Sequence, residues 1–212
     1  MAHAPLLEEL AAREDFWQPV EEDGSNFRTY RLRKPSEHRL EFRASVQKLL
    51  FCGVFISICL FMVVMALLIL LGVIPATGEN GRDASLSGGM TFGLIGLLFG
   101  AIGALMLHGA LQTIVFDKDR GLTWRGRDPR DRTSDERNED ICFRLEEIVA
   151  LQLLAERVQV KRSSYLSHEL NLVLRSGERL NLVDHVREKI LVDEAETLGH
   201  FLDVPVLRRP AA

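Results

Sequence analysis

Between Leu49 and Ile74 the chain carries no Asp, Glu, Lys or Arg at all, a run of 26 residues in a sequence otherwise dense in charge. Cysteine is scarce as well: three in 212 residues, too few for a disulfide framework. Cys52 and Cys59 fall inside the uncharged run on one helical face, as small apolar packing residues, and Cys142 lies far downstream. The phosphate- and dinucleotide-binding patterns GxxxxGK[ST] and GxGxxG are missing, as are the nucleophile elbow GxSxG and CxxC. His168-Glu169 is followed by Leu-Asn-Leu, so a zinc-protease HExxH fails at its second histidine, and neither a metal site nor a cofactor is expected. Asp184-His185 offers half of an acid–base pair, but no serine or cysteine nucleophile is tied to it, and Asp184 equally suits a strand end or helix cap. No catalytic residue is therefore assigned. A net charge of −4 is too mild to imply a nucleic-acid partner.

What is present begins with that run. It holds 18 Leu, Ile, Val and Phe residues, and about 20 helical residues cross a hydrocarbon core. A cleaved signal peptide is excluded by the 48 mostly polar residues ahead of it. A second apolar block, Gly88 to Leu111, contains only His108 as a titratable group, read as an interfacial histidine because neither block offers an acidic partner. The turn formers of 75–87 join the blocks, with Pro75 ending one helix and Ser85 or Ser87 capping the next. Spans 49–74 and 88–111 thus form an antiparallel hairpin.

Twelve Lys and Arg residues flank the hairpin and only Arg82 lies in its loop, so the positive-inside rule puts both termini in the cytoplasm. Arg39, Arg43, Lys48, Lys118 and Arg120 are the candidates for topology and lipid-headgroup contact. Arginine outnumbers lysine 21 to 5, a bias of GC-rich bacterial genomes, which makes the membrane a bacterial inner membrane. Gly89, Gly93, Gly96, Gly100 and Gly103 recur at 4-3-4-3 spacing on one stripe of the second span. Small residues let helices approach closely in lipid. The stripe can pack on the first span, or it can join two copies into a homodimer; both readings stay open.

Outside the hairpin, residues 1–24 carry seven Asp/Glu against Arg13, and Leu6, Leu7, Leu10, Phe16 and Trp17 suggest a short amphipathic helix that docks or frays. In 25–48, FRTYRLR and HRLEFRA read as a strand hairpin turning at Lys34-Pro35-Ser36-Glu37. In 112–206, TIVFDKDRGLTWRG reads as a second hairpin, with Gly121 at a positive-φ position. The charged stretch 127–140 reads as a loop, and CFRLEEIVALQLLAERVQVKR as strand. ELNLVL-RSGE-RLNLVD is a hairpin of period two, with Leu170, Leu172, Leu174, Leu180 and Leu182 on one face and Asn171 and Asn181 on the other. Leu191, Ala195, Leu198 and Leu202 form a helical stripe ending at Pro205, and 207–212 is a tail.

The fold class is α+β: a transmembrane hairpin plus a cytoplasmic β domain of about seven strands closed by a C-terminal helix. The order resembles that of bacterial pleckstrin-homology-like membrane proteins, in which a helical hairpin leads into a strand pair of the TIVFDKDRGLTW type; the likeness covers 113–204 and extends to 27–44. The charged loop and the strands ahead of the hairpin depart from the simple version. The missing active-site motifs lead to the expectation of a non-enzymatic interaction or regulatory module, with membrane lipids and a protein as partners and with strand edges and the acidic tail as contact surfaces. A membrane-bound immunity protein that neutralises a secreted toxin is the alternative, and a membrane-associated enzyme the third.

Overall fold

Alternation decides the first sheet. In Arg39-Leu-Glu-Phe-Arg43, Leu40 and Phe42 share one face and the three charges share the other, as side chains of a strand must. The computed structural model describes residues 4–20, 27–74, 82–131, 142–160, 163–185 and 187–209. Val46–Leu111 makes one unit, and Met1–Ser45 with Gln112–Ala212 makes the other. The molecule is α+β, with four α-helices and two sheets among the described residues.

The mixed unit opens with α1 (Ala4–Ala12) and a 3₁₀ turn at Asp15–Trp17. Its first sheet runs β1 (Tyr30–Ser36), β2 (Arg39–Ala44), β3 (Ile114–Asp117), β4 (Leu122–Arg125) and β5 (Cys142–Arg144) in spatial order. Residues 27–44 therefore join the sheet that follows the apolar helices, through an antiparallel β2–β3 register of Leu40↔Phe116 and Phe42↔Ile114. The second sheet has the order β8 (Arg179–His185), β7 (Ser163–Leu174), β6 (Ile148–Val160), β9 (Val206–Arg208), with α4 (Glu188–Leu202) between β8 and β9. One core joins the sheets and helix: Leu40, Phe42, Ile114 and Phe116 from the first sheet, Leu151, Leu170 and Leu172 from the second, and Leu191, Ala195 and Leu198 from α4. Buried Glu194 ties α4 to the first hairpin, pairing with Arg28 and accepting the Leu32 N–H at 3.0 Å.

Three expectations change. Nine strands are present among the described residues, where the sequence reading has about seven. One reason is that the 142–162 segment breaks at a 3₁₀ turn, Leu145–Glu147, into β5 and β6 on different sheets. The other is a short strand after α4, whose end Pro205 marks as expected, three residues beyond Leu202. Asp203 at φ 60° stops α4, the Val204 N–H bonds Gly199 O at 3.0 Å, and the Pro205 carbonyl accepts from Leu151. The chain then pairs with β6 in parallel as β9, which runs past 206 to Arg208. The first hairpin turns at Glu37-His38, leaving Pro35 inside β1 at a register shift between Arg33 and Ser36. An edge strand tolerates this proline because one of its sides needs no ladder donor. Of the charged stretch, 132–140 lies outside the described residues.

In the other unit, α2 (Val46–Leu70) and α3 (Arg82–Ala110) are two helices long and apolar enough to cross a membrane. α2 stops at Leu70, short of Ile74, where Gly72 at φ 70° lets the Val73 and Ile74 amides bond back to Leu68 O. Pro75 lies outside the described residues, and Ser85 and Ser87 sit within α3, which begins at Arg82. The glycine stripe faces α2 in descending order. A Cβ at Gly89 would meet Leu70, at Gly93 Ala66, at Gly96 Met62, at Gly100 the Cys59 sulfur at 2.7 Å, and at Gly103 Phe55 and Ile56 at 3.1 Å. Nothing lies within 4 Å of a Cβ added at Gly53.

Leucine at Gly96 or Gly100 should therefore overpack the helix pair and cost about 1–3 kcal/mol, whereas Gly53→Leu should be near neutral. Thermal unfolding in detergent of the three variants checks this. Equal midpoints would mean that the stripe is not a close-packing surface.

Candidate interaction site

The outer face of the second sheet is built by residues that alternate with its core leucines. Cross-strand pairing aligns Arg179–Val173–Ala150 in one row, Asn181–Asn171–Gln152 in the next and Asp184–Glu169–Leu154 in a third. A half-polar face of this kind is expected to meet water. Instead Gln152 and Asn171 are fully buried and Glu169 is 3% exposed, because the N-terminal segment covers them.

Leu10 and Phe16 sit against Val149, Ala150 and Val173, with Leu6, Leu7 and Trp17 at the margin. Around this apolar patch the contacts go to main chain. Gln152 Nε2 donates to Phe16 O at 2.5 Å, and Arg179 donates to Phe16 O at 2.6 Å, Gln18 O at 2.8 Å and Asp15 O at 3.2 Å. The Arg179 guanidinium also lies 5.5 Å from the Phe16 ring centroid, a cation–π distance. At the far end the Glu169 carboxylate accepts the Val20 N–H at 3.0 Å and Asn181 Nδ2 at 3.0 Å. Asn171 donates to Gln152 Oε1 at 3.2 Å, while its own Oδ1 is buried with no hydrogen-bond partner. Partial burial lowers the Arg179 pKa from its usual value, with Glu169 and Asp15 opposing that shift; the guanidinium remains a cation.

A second concavity, of about 880 Å³, lies between the β3–β4 turn, residues 144–148, Arg175 and the end of α4. Lys118, Arg120, Arg144 and Arg175 face it beside Glu146 and Asp203. It opens at the end of the first sheet opposite Ala44 and Ile114.

The five basic residues singled out by position have separate settings. Arg39 and Arg43 bracket the buried Glu41 carboxylate at 2.8 and 2.7 Å. Arg120 bonds Asp128 at 2.7 Å, and the guanidiniums of Arg39 and Arg120 both lie over buried Trp124. The Arg130 backbone N–H, then Arg120 and the Arg130 guanidinium, hold Asp128 well below the usual carboxylate range. Lys118 Nζ lies 4.7 Å from the Phe201 ring centroid, and Lys48 stands in the first turn of α2. The structure thus places Arg39, Arg43 and Arg120 in ion pairs of the domain itself.

Asp184 and His185 are separated by the strand pleat. Asp184 accepts from Asn181 on the covered outer face, whereas His185 is 2% exposed and its Nδ1 accepts the Arg187 N–H at 2.8 Å. The two therefore do not form an acid–base pair. Among the described residues no three His, Cys, Asp or Glu side chains are grouped to hold a metal ion. Sequence reasoning missed Arg179, Gln152 and Glu169. The available cue was their period-two spacing with Asn171 and Asn181 on adjoining strands. Searches against protein-family models, curated proteins and solved structures found no match to this chain.

Burial first, and then Arg28, Arg187 and His168, push the His185 pKa down to about 4 from 6.5. The folded state then binds fewer protons than the unfolded chain between those values. Its contribution is complete above pH 6.5 and is lost as pH falls toward 4, by roughly 2–3 kcal/mol. Urea unfolding at a series of pH values should show this slope, and His185→Asn, which keeps an acceptor for Arg187 N–H, should flatten it. An unchanged slope would assign the acid sensitivity to other groups.

Proposed function

We propose that this chain is a non-enzymatic inner-membrane protein whose PH-like two-sheet domain is held at the cytoplasmic face and works by binding. The observation that supports the reading is the β2–β3 pairing. Strands that precede and follow the apolar hairpin share one ladder, so a hairpin that spans a bilayer must return the chain to the side it left. Two antiparallel sheets with a helix after the last antiparallel strand are the PH-like element, and β9 is an addition to it. The excess of flanking basic residues makes that side the cytoplasm. Separation of Asp184 from His185 favours binding over catalysis. Lys118 and Arg175, both exposed at the groove, are the cations offered to an acidic protein partner.

In a background lacking native cysteines, Ser85→Cys should react with a membrane-impermeant reagent in intact cells and Ser176→Cys only after lysis. The reverse pattern would sink the orientation, and equal reaction at both would sink the spanning hairpin. Co-purification from crosslinked native membranes tests the binding part. Lys118→Glu with Arg175→Glu should lower partner recovery at least fivefold at matched expression, while the Asp184→Asn, His185→Ala pair should retain it within twofold. Loss of recovery in the second variant alone, with the domain still folded, would overturn the assignment of binding to the groove.

A further inference from the structure

The N-terminal segment is held in a way that a simple structural cover does not require. An apolar sheet face is shielded most economically by apolar side chains, since buried polar groups carry a desolvation cost. Here three buried side chains, Gln152, Asn171 and Glu169, interrupt the face; Gln152 and Glu169, with Arg179, address main-chain atoms of the cover, and Asn171 braces Gln152. Carbonyls of Asp15, Phe16 and Gln18 and the amide of Val20 are read. Main-chain groups are common to every peptide.

Only two side chains of the segment are deeply seated, Leu10 and Phe16, at 6% and 3% exposure. Its charged groups turn outward: Arg13 and Asp15 pair with each other with their side chains 58% and 66% exposed. The face thus makes a short demand of its occupant: an apolar residue on a helical turn, an aromatic six positions later, and free main chain beyond it. Asn171 Oδ1, fully buried in the middle of the row, is an acceptor that the present occupant leaves unused. The turn between β7 and β8 completes the seat, since a Cβ at Gly177 would lie 3.5 Å from Leu10 Cδ2.

We infer that the outer face of the β6–β8 sheet is a peptide-recognition site, occupied in cis by residues 4–20, whose partner in trans is a protein segment of the same pattern. The cis segment is then a competitor, and a partner gains the site by displacing it. The inference does not depend on which side of a membrane the domain occupies, or on the groove at Lys118 and Arg175.

The test uses the full chain in nanodiscs with a protease site inserted between Val20 and Phe27. After cleavage, a fluorescent synthetic peptide of residues 1–20 is added in excess and its incorporation followed by anisotropy. Stoichiometric incorporation is expected, at least tenfold weaker for a peptide carrying Phe16→Ala or for a protein carrying Arg179→Ala. Arg179→Lys, which keeps the charge and loses the planar fork, should fall between. A companion measurement avoids any emptied site: uncleaved chain carrying Phe16→Ala should take up the wild-type peptide in trans more tightly than uncleaved wild type. Exchange between differently tagged uncleaved copies, abolished by Phe16→Ala, would identify the trans segment as that of a second copy. No incorporation in either format while the domain keeps its thermal transition would overturn the inference. So would equal uptake of the Phe16→Ala peptide.

Discussion

Backbone pairing between β2 and β3 is the constraint on which the rest of the structure depends. It joins residues separated in sequence by the whole of α2 and α3, and every element of the first sheet lies on one side or the other of that seam. Closing so long a loop would be costly for a flexible chain, since loop entropy grows with length. Here the intervening chain is itself folded. Packed helices hold their axes about 8–10 Å apart, and paired strands lie about 4.8 Å apart. An antiparallel helix pair with glycines at its contact line keeps the two ends of that folded segment close, which lessens the closure cost. The close approach at Gly96 and Gly100 and the ladder at Leu40↔Phe116 are separate features that make the same demand on the chain.

The mixed unit resolves a conflict that any two-sheet fold faces. Its inner faces bury Leu40, Phe42, Ile114 and Phe116 against the leucines of β6 and β7, while the outer faces carry Trp124 on the first sheet and Ala150 and Val173 on the second. The first sheet covers its own: Trp124 is 1% exposed beneath the guanidiniums of Arg39 and Arg120, and Glu41 pairs with both Arg39 and Arg43 beside it. The second sheet uses chain from elsewhere, the α1 segment. Covering with side chains of the same strands is fixed at folding. Covering with a terminal segment adds contacts that can open without loss of the core, which is where low-stability units of a fold tend to lie.

Much of this was legible in the residues, and what was not has identifiable causes. The apolar blocks and the leucine hairpin show because their periods persist over many residues, and Gly121 shows because its turn needs φ near +65°. The ion pairs of Arg39 and Arg43 were also within reach, since Arg39, Glu41 and Arg43 alternate onto one face. Counting basic residues for topology ignores such partners. β9 stayed hidden because three residues after a proline carry no periodic signal, and their pairing is with β6, far away in sequence. Docking of the N-terminal segment was half legible: Leu6, Leu7, Leu10 and Phe16 announce an apolar face. Its receptor did not, because Asn171 and Asn181 have the spacing of a solvated strand face. What buries them is tertiary.

Sheet edges, the other contact surface that a β domain offers, are guarded unequally. β1 ends the first sheet, and it carries Arg31, Arg33, Lys34 and Pro35 with a register shift before Ser36. Charge, a missing donor and an irregular ladder are the features that prevent another strand from adding to an edge. β5 at the opposite edge is three residues long, too short to template a stable pair. The second sheet ends in β9, also three residues, and in β8, whose outer face lies partly under the N-terminal segment through Arg179 and Asn181. Strand addition is thus disfavoured at three of four edges by the residues placed there. The β8 edge is the one at which none of these guards stands.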